Sequence, residues 1–133
     1  MYNVNPTNIF KNIYKKCYIS SKLPSTFDND NNEIPVYDIP KLYMLNTMSI
    51  TSDSEIKAFG EVSLNMKKAT IPNDISKYKN NKSELIFKEF DKAYLDGASP
   101  TGETINGENS NYIIKAIQIQ NTIIQIYFEK EIK

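Results

Sequence analysis

"NYIIKAIQIQNTIIQIYFEK", Asn111 to Lys130, is the stretch whose reading decides the fold. Eight isoleucines fall between Ile113 and Ile132, and β-branched side chains favour extended backbone. Gln120-Asn121-Thr122 separates two such runs, which predicts a β-hairpin. In the second run Ile124, Ile126 and Phe128 alternate with Gln125, Tyr127 and Glu129, so one face is expected to be buried. The first run is apolar on both faces, with Tyr112, Ile114 and Ala116 on one and Ile113, Ile117 and Ile119 on the other. A small barrel has one interior. The outer side of this run is therefore expected to be covered by a terminal segment or by another subunit.

Upstream of the hairpin, residues 96–111 hold three of the four glycines and no apolar periodicity, the pattern of a long loop. "ELIFKEFDKAYLDG", 84–97, reads as a strand with a turn inside it, and 73–84 as a Lys- and Asn-rich loop. "VSLNMKKATIP" reads as a strand that stops at Pro72-Asn73. Before it stands "SDSEIKAFG", 52–60. Ser52 and Glu55 have capping-box spacing, and Gly60 suits the left-handed residue that ends a helix, so about two helical turns are predicted between strands. Lys41–Thr51 reads as a strand, preceded by an edge-like stretch that contains Pro35 and Pro40. Residues 23–33 read as a polar turn cluster. In residues 6–20, Ile9, Phe10, Ile13, Tyr14 and Cys17 fit one helical face, while "IYKKCYIS" also alternates; a short helix or extended arm is expected. The fold class is thus mainly β. A single domain is expected, with an arm-and-turn region over 1–32 and a small β-barrel over 33–133 that has a short inserted helix, long loops at 73–84 and 96–111 and a C-terminal hairpin.

Composition narrows the function. A chain of 133 residues buries roughly two-thirds of its unfolded surface and needs no metal or disulfide to hold a core. Cys17 is the only cysteine, which rules out an internal disulfide framework and suggests a reducing compartment. The 16 basic residues are all lysine and are matched by 16 acidic ones. Without histidine there is no imidazole base and no His-ligated zinc. Without arginine there is no bidentate fork for guanine or phosphate. No apolar run approaches the ~20 residues that span a bilayer, and the first residues lack a signal-peptide pattern.

Candidate sites each have a plainer reading. "DNDNNE", 28–33, alternates oxygen ligands but lacks the glycine and glutamate of a calcium loop, so a solvated turn is expected. Glu84, Glu89, Asp91 and Asp96 are interleaved with lysines, the pattern of a mixed solvated face rather than a paired-carboxylate site. Lys77, Lys79, Lys82, Lys88 and Lys92 lie near Tyr78 and Phe87, as a single-strand-binding patch would require, but nearby carboxylates offset the charge. Cys17 has no basic partner to activate it. No catalytic residue, cofactor or metal is expected, and the chain reads as a non-enzyme.

Taken in order, the pieces resemble the head-closure, or stopper, proteins of tailed bacteriophages. The resemblance rests on the Pro-containing "IPVYDIPKLYMLN", on "MSITSDSEIKAFGEVSLN" with its acidic short helix ending in Phe-Gly, on "FKEFDKAYLDG", and on a closing hairpin that starts at Asn-Tyr. It spans roughly residues 33–130. Family members often carry a glycine early in the short helix, where Ser54 and its neighbours stand here. The resemblance implies a structural protein of the virion neck, assembled in the host cytoplasm as a homo-oligomeric ring, expected to be a hexamer. Such a ring sits between the portal or its adaptor and the tail terminator, closes the DNA-filled head and lets DNA pass. It implies no membrane partner. Within that reading, Phe59, Ile113, Ile117, Ile119 and Tyr127 are the expected interface residues. Asp96, Glu103 and Glu108 are expected on a loop at the channel or at a ring junction. Phe59 is expected to serve its own barrel before a neighbour's surface. Two alternatives stay open: another head–tail joining protein (a helical adaptor or a terminator with longer helices), and a small ligand-binding barrel or enzyme.

Overall fold

The computed structural model describes residues 14–73, 76–101 and 104–132. The strands are β1 (Lys15–Ser20), β2 (Lys22–Phe27), β3 (Glu33–Tyr37), β4 (Lys41–Leu45), β5 (Thr47–Ser49), β6 (Met66–Pro72), β7 (Lys92–Tyr94), β8 (Tyr112–Ile119) and β9 (Ile123–Lys130). One α-helix, α1 (Asp53–Phe59), stands between β5 and β6. Seven strands form one antiparallel sheet in the order β4-β1-β7-β8-β9-β6-β5, and β2 pairs with β3 in a separate ribbon.

The two ends of that order are neighbours in the chain. Asn46 alone separates β4, which pairs with β1, from β5, which pairs with β6. One run of nine residues therefore serves both edges, and the sheet must curl until they meet. The enclosed core includes Cys17, Ile19, Leu45, Ile114, Ile126 and Phe128. Tyr78 and Phe87, from the irregular chain between β6 and β7, join that core, with Tyr43 of β4 set edge-on to Phe87 at 5.0 Å and 72°.

The hairpin forms as expected, with one extra residue in it. Ile114 pairs with Phe128, but Ala116 pairs with Tyr127, so Lys115 is a β-bulge. Side chains alternate faces along a strand, and one inserted residue reverses the alternation beyond it. Ile117 and Ile119 thus stand opposite the core residues Ile126 and Ile124, on the same side as Tyr112 and Ile114. They do not share the outer face with Ile113, as strict alternation predicts. The outer face beyond the bulge carries Ala116, and this accounts for a run that is apolar at nearly every position.

Other expectations need correction. Residues 15–20 are neither helix nor arm: they form β1, paired on both sides, so the barrel takes in chain from the region read as an arm. Residues 6–13 lie outside the described residues. The turn cluster at 23–33 is mostly ribbon, because β2 and β3 flank a turn confined to 28–32. Residues 60–65 continue α1 as a 3-10 turn, and strand structure resumes only at Met66. In 84–97 the strand is limited to Lys92–Tyr94.

The bulge yields a prediction. Deleting Lys115 forces strict alternation on β8, either driving Tyr112 and Ile114 out of the core or turning Ile117 away from it. Chemical denaturation should show a loss above about 4 kcal/mol, or no cooperative transition at all. Lys115→Ala keeps the bulge and removes only a 3.5 Å ion pair to Glu129, so it should change stability by less than about 1 kcal/mol.

Candidate functional site

The short helix defines the best-formed polar site. Ser52 is its N-cap, with extended backbone (φ −76, ψ 142) and its hydroxyl accepting the Glu55 N–H at 3.3 Å. Gly60 ends the helix at φ 65, a value that favours glycine. Both ends are therefore set by local sequence, and seven residues are held in a fixed place on the outside of β6 and β9.

Glu55 does more than cap. Its carboxylate accepts the Ser52 hydroxyl at 2.6 Å, the Lys68 ammonium at 2.8 Å and the Tyr127 hydroxyl at 2.7 Å. Burial pushes its carboxyl up, but these three donors outweigh burial and hold it at about 2. Burial, together with the same contact, pushes the Tyr127 hydroxyl well up, so it stays a donor. Beside this triad the Phe59 ring lies on the Tyr127 ring, centroids 4.8 Å apart, over a small outer cluster of Ile50, Met66 and Ala116. The helix is thus fastened by one polar and one aromatic contact. Next to it opens a cleft of about 430 Å³, bordered by Ser54, Ala58, Gln118, Gln120 and Gln125. Its walls offer hydroxyls and neutral amides beside the paired Glu55 and Lys68.

The expected interface residues separate. Phe59 and Tyr127 contact each other within the chain, so the cover over the hairpin's outer face is α1 itself. Ile113 is half-buried, Ile117 faces the core, and Ile119 is 65% exposed at the end of β8. The loop residues also separate. Asp96 pairs with Lys67 and accepts the Tyr112 hydroxyl at 3.1 Å. Glu108 keeps its side chain exposed, while its backbone carbonyl accepts the Tyr94 hydroxyl. Glu103 lies outside the described residues. Asn111 clasps the foot of the loop, its side chain bonding both the N–H and the C=O of Leu95 at 2.9 and 2.8 Å.

The remaining candidates resolve into structural roles. Asp91 is buried and accepts the Lys22 N–H at 2.8 Å and the Lys88 N–H at 2.9 Å, so it ties the ribbon's first residue to the barrel. Burial pushes its carboxyl above the usual range, and the two N–H donors oppose that rise. Tyr78 and Phe87 are core residues and offer no stacking surface to a nucleic acid. Asp28 caps the ribbon turn by accepting the Asp30 and Asn32 N–H groups, each at 2.9 Å, the turn that its composition suggests. Two features escape sequence reasoning, the carboxylate of Asp91 and the reach from Glu55 to Tyr127. Both are long-range pairings with no motif to mark them. Comparison of the chain with protein-family models, with curated proteins and with solved structures finds no match.

The Glu55 triad carries a pH signature. A carboxyl held below its ordinary value of 4.5 stabilises the fold fully above that value, and the contribution is lost as pH falls towards 2. Glu55→Gln should cost about 2 kcal/mol at neutral pH. The gap between wild type and variant in urea melts should close as pH drops from 4.5 to 2. A gap of constant size would show that the ionised triad contributes nothing. Phe59→Ala should cost about 1–2 kcal/mol at any pH, since its ring is only half-buried.

Proposed function

We propose that this chain is a joining protein of the phage neck, one that forms a ring, closes the DNA-filled head and offers a docking surface to the tail. The observation that supports this best is the position of α1. The short acidic helix ending in Phe59-Gly60 stands between β5 and β6 on a mainly β scaffold, in the order in which the resemblance places it. The one α-helix among the described residues has seven residues, which weighs against a helical adaptor or a terminator built on long helices. The well-formed polar groups act as fasteners: Asp91 holds backbone, Glu55 holds a helix, and Asp96 holds Lys67. In this reading the loop at 96–111, with Asp96, Glu103 and Glu108 and no lysine, borders the channel or the junction with the next ring. Acidic groups there let DNA slide, whereas lysines would bind its phosphates.

Deleting the gene from a producing phage or prophage and imaging the lysate tests the proposal. The expected result is separate tails together with heads that have filled and then lost their DNA. Assembled, infectious particles would reject it.

A further inference from the structure

The β2–β3 ribbon stands apart from the barrel sheet and is apolar on both faces. Leu23, Ile34 and Val36 share one face, while Phe27 and Pro35 lie on the other. Phe27 is 65% exposed and Ile34 43% exposed. A two-stranded ribbon with this much apolar surface is marginal in water without a partner. Its edges are unsuited to strand addition, because Pro24 lies in β2, Pro35 lies in β3, and β2 is bulged between Leu23 and Thr26. Contact must therefore be made through a face. The tip is acidic, with Asp28, Asp30 and Glu33 and no lysine between Lys22 and Lys41.

A complementary surface lies on the same molecule, on the outside of β1 and β4. Leu42, 49% exposed, and Met44, 41% exposed, lie opposite Tyr18 and Lys16, and Met48 extends the stripe along β5. Beside it an apolar hollow of about 560 Å³ is bordered by Tyr14, Met44, Pro72 and Lys77. Lys16 stands on that face opposite Met44, Lys77 borders the hollow, and β1 and β4 contribute no acidic residue. Leu42 to Met48 spans about 20 Å at strand rise, close to the length of the six-residue strand β2. An acidic apolar ribbon and a basic apolar stripe of matched length, both on one chain, form a head-to-tail pair, the kind of contact that closes into a ring when the rotation permits.

We propose that the β2–β3 ribbon of one copy docks on the β1–β4 outer face of the next, with its acidic tip against Lys16 and Lys77. This rests on the ring reading and names the surface that builds the ring. Matched charges orient the two copies, and apolar contact holds them.

Sedimentation velocity of the purified full chain over a concentration series tests it, with a tip variant (Asp30→Lys, Glu33→Lys) and a face variant (Lys16→Glu, Lys77→Glu). Asp28 is kept because it holds the turn. All four altered side chains are exposed, and circular dichroism checks that each variant folds. Wild type should associate as concentration rises. Each variant alone should associate at least tenfold more weakly. An equimolar mixture should recover, because the reversed tip then fits the reversed face and the native tip fits the native face. Association unchanged in both variants would overturn the ribbon assignment and leave the ring reading standing. A wild type that stays monomeric throughout would overturn the assignment, and the gene deletion would then judge the neck reading by itself. Association that is unchanged in the variants but rises when residues 1–13 are removed would overturn it too, and would give the hollow to the chain's own first residues.

Discussion

Nine residues, Lys41–Ser49, hold the architecture together. They are both edges of the sheet at once, pairing with β1 before Asn46 and with β6 after it. An open sheet this small would leave two rows of unpaired backbone groups and half of its apolar side chains in water. Sharing one run between the edges removes most of that exposure and turns the sheet's inner face into a core. The switch of partner at Asn46 leaves a seam between β4 and β6, and the chain before β7 brings Tyr78 and Phe87 to the core there. The irregular stretch 76–91 is irregular for that reason. It follows the shape of a gap rather than a ladder.

Once the barrel is closed, its outside becomes a second place to build. The α1 helix is too short to be stable alone and survives because both ends are capped and Glu55 and Phe59 fasten it to Lys68, Tyr127 and Met66. The ribbon is the opposite case. Its base is secured by Asp91 and by Asn106, which accepts the Tyr37 N–H, while its apolar faces meet little of the barrel. One appendage is folded down onto the barrel and the other is left free to make contact. In the neck reading, this division separates a docking platform from a connecting arm.

The closing hairpin was legible because its isoleucines and its turn sit next to each other in the chain. The helix was legible because Ser52, Glu55 and Gly60 are local signals. The bulge was not, since Lys115 looks like any polar position in an alternating run until β9 is laid beside it. β1 was ambiguous because "KKCYIS" satisfies both periods, and pairing on two sides settled it. The ribbon hid behind its prolines and its Asp/Asn-rich tip, which are turn signals over short windows and edge protection over longer ones. Tyr127 and Phe59 are both expected from the sequence at an interface. Their partner proved to be each other, a pairing across long sequence separation that no single window contains.

Cys17 has a practical consequence. It lies in the core, its Sγ donating to the Tyr43 carbonyl at 3.4 Å, and burial pushes its thiol up to about 12. At neutral pH it is neither exposed nor ionised, so alkylating and oxidising reagents find nothing to attack on the native fold. The molecule therefore comes with a chemically silent background. A single cysteine placed anywhere on its surface would be the one reactive thiol, and a fluorophore or spin label attached there would report from a known point.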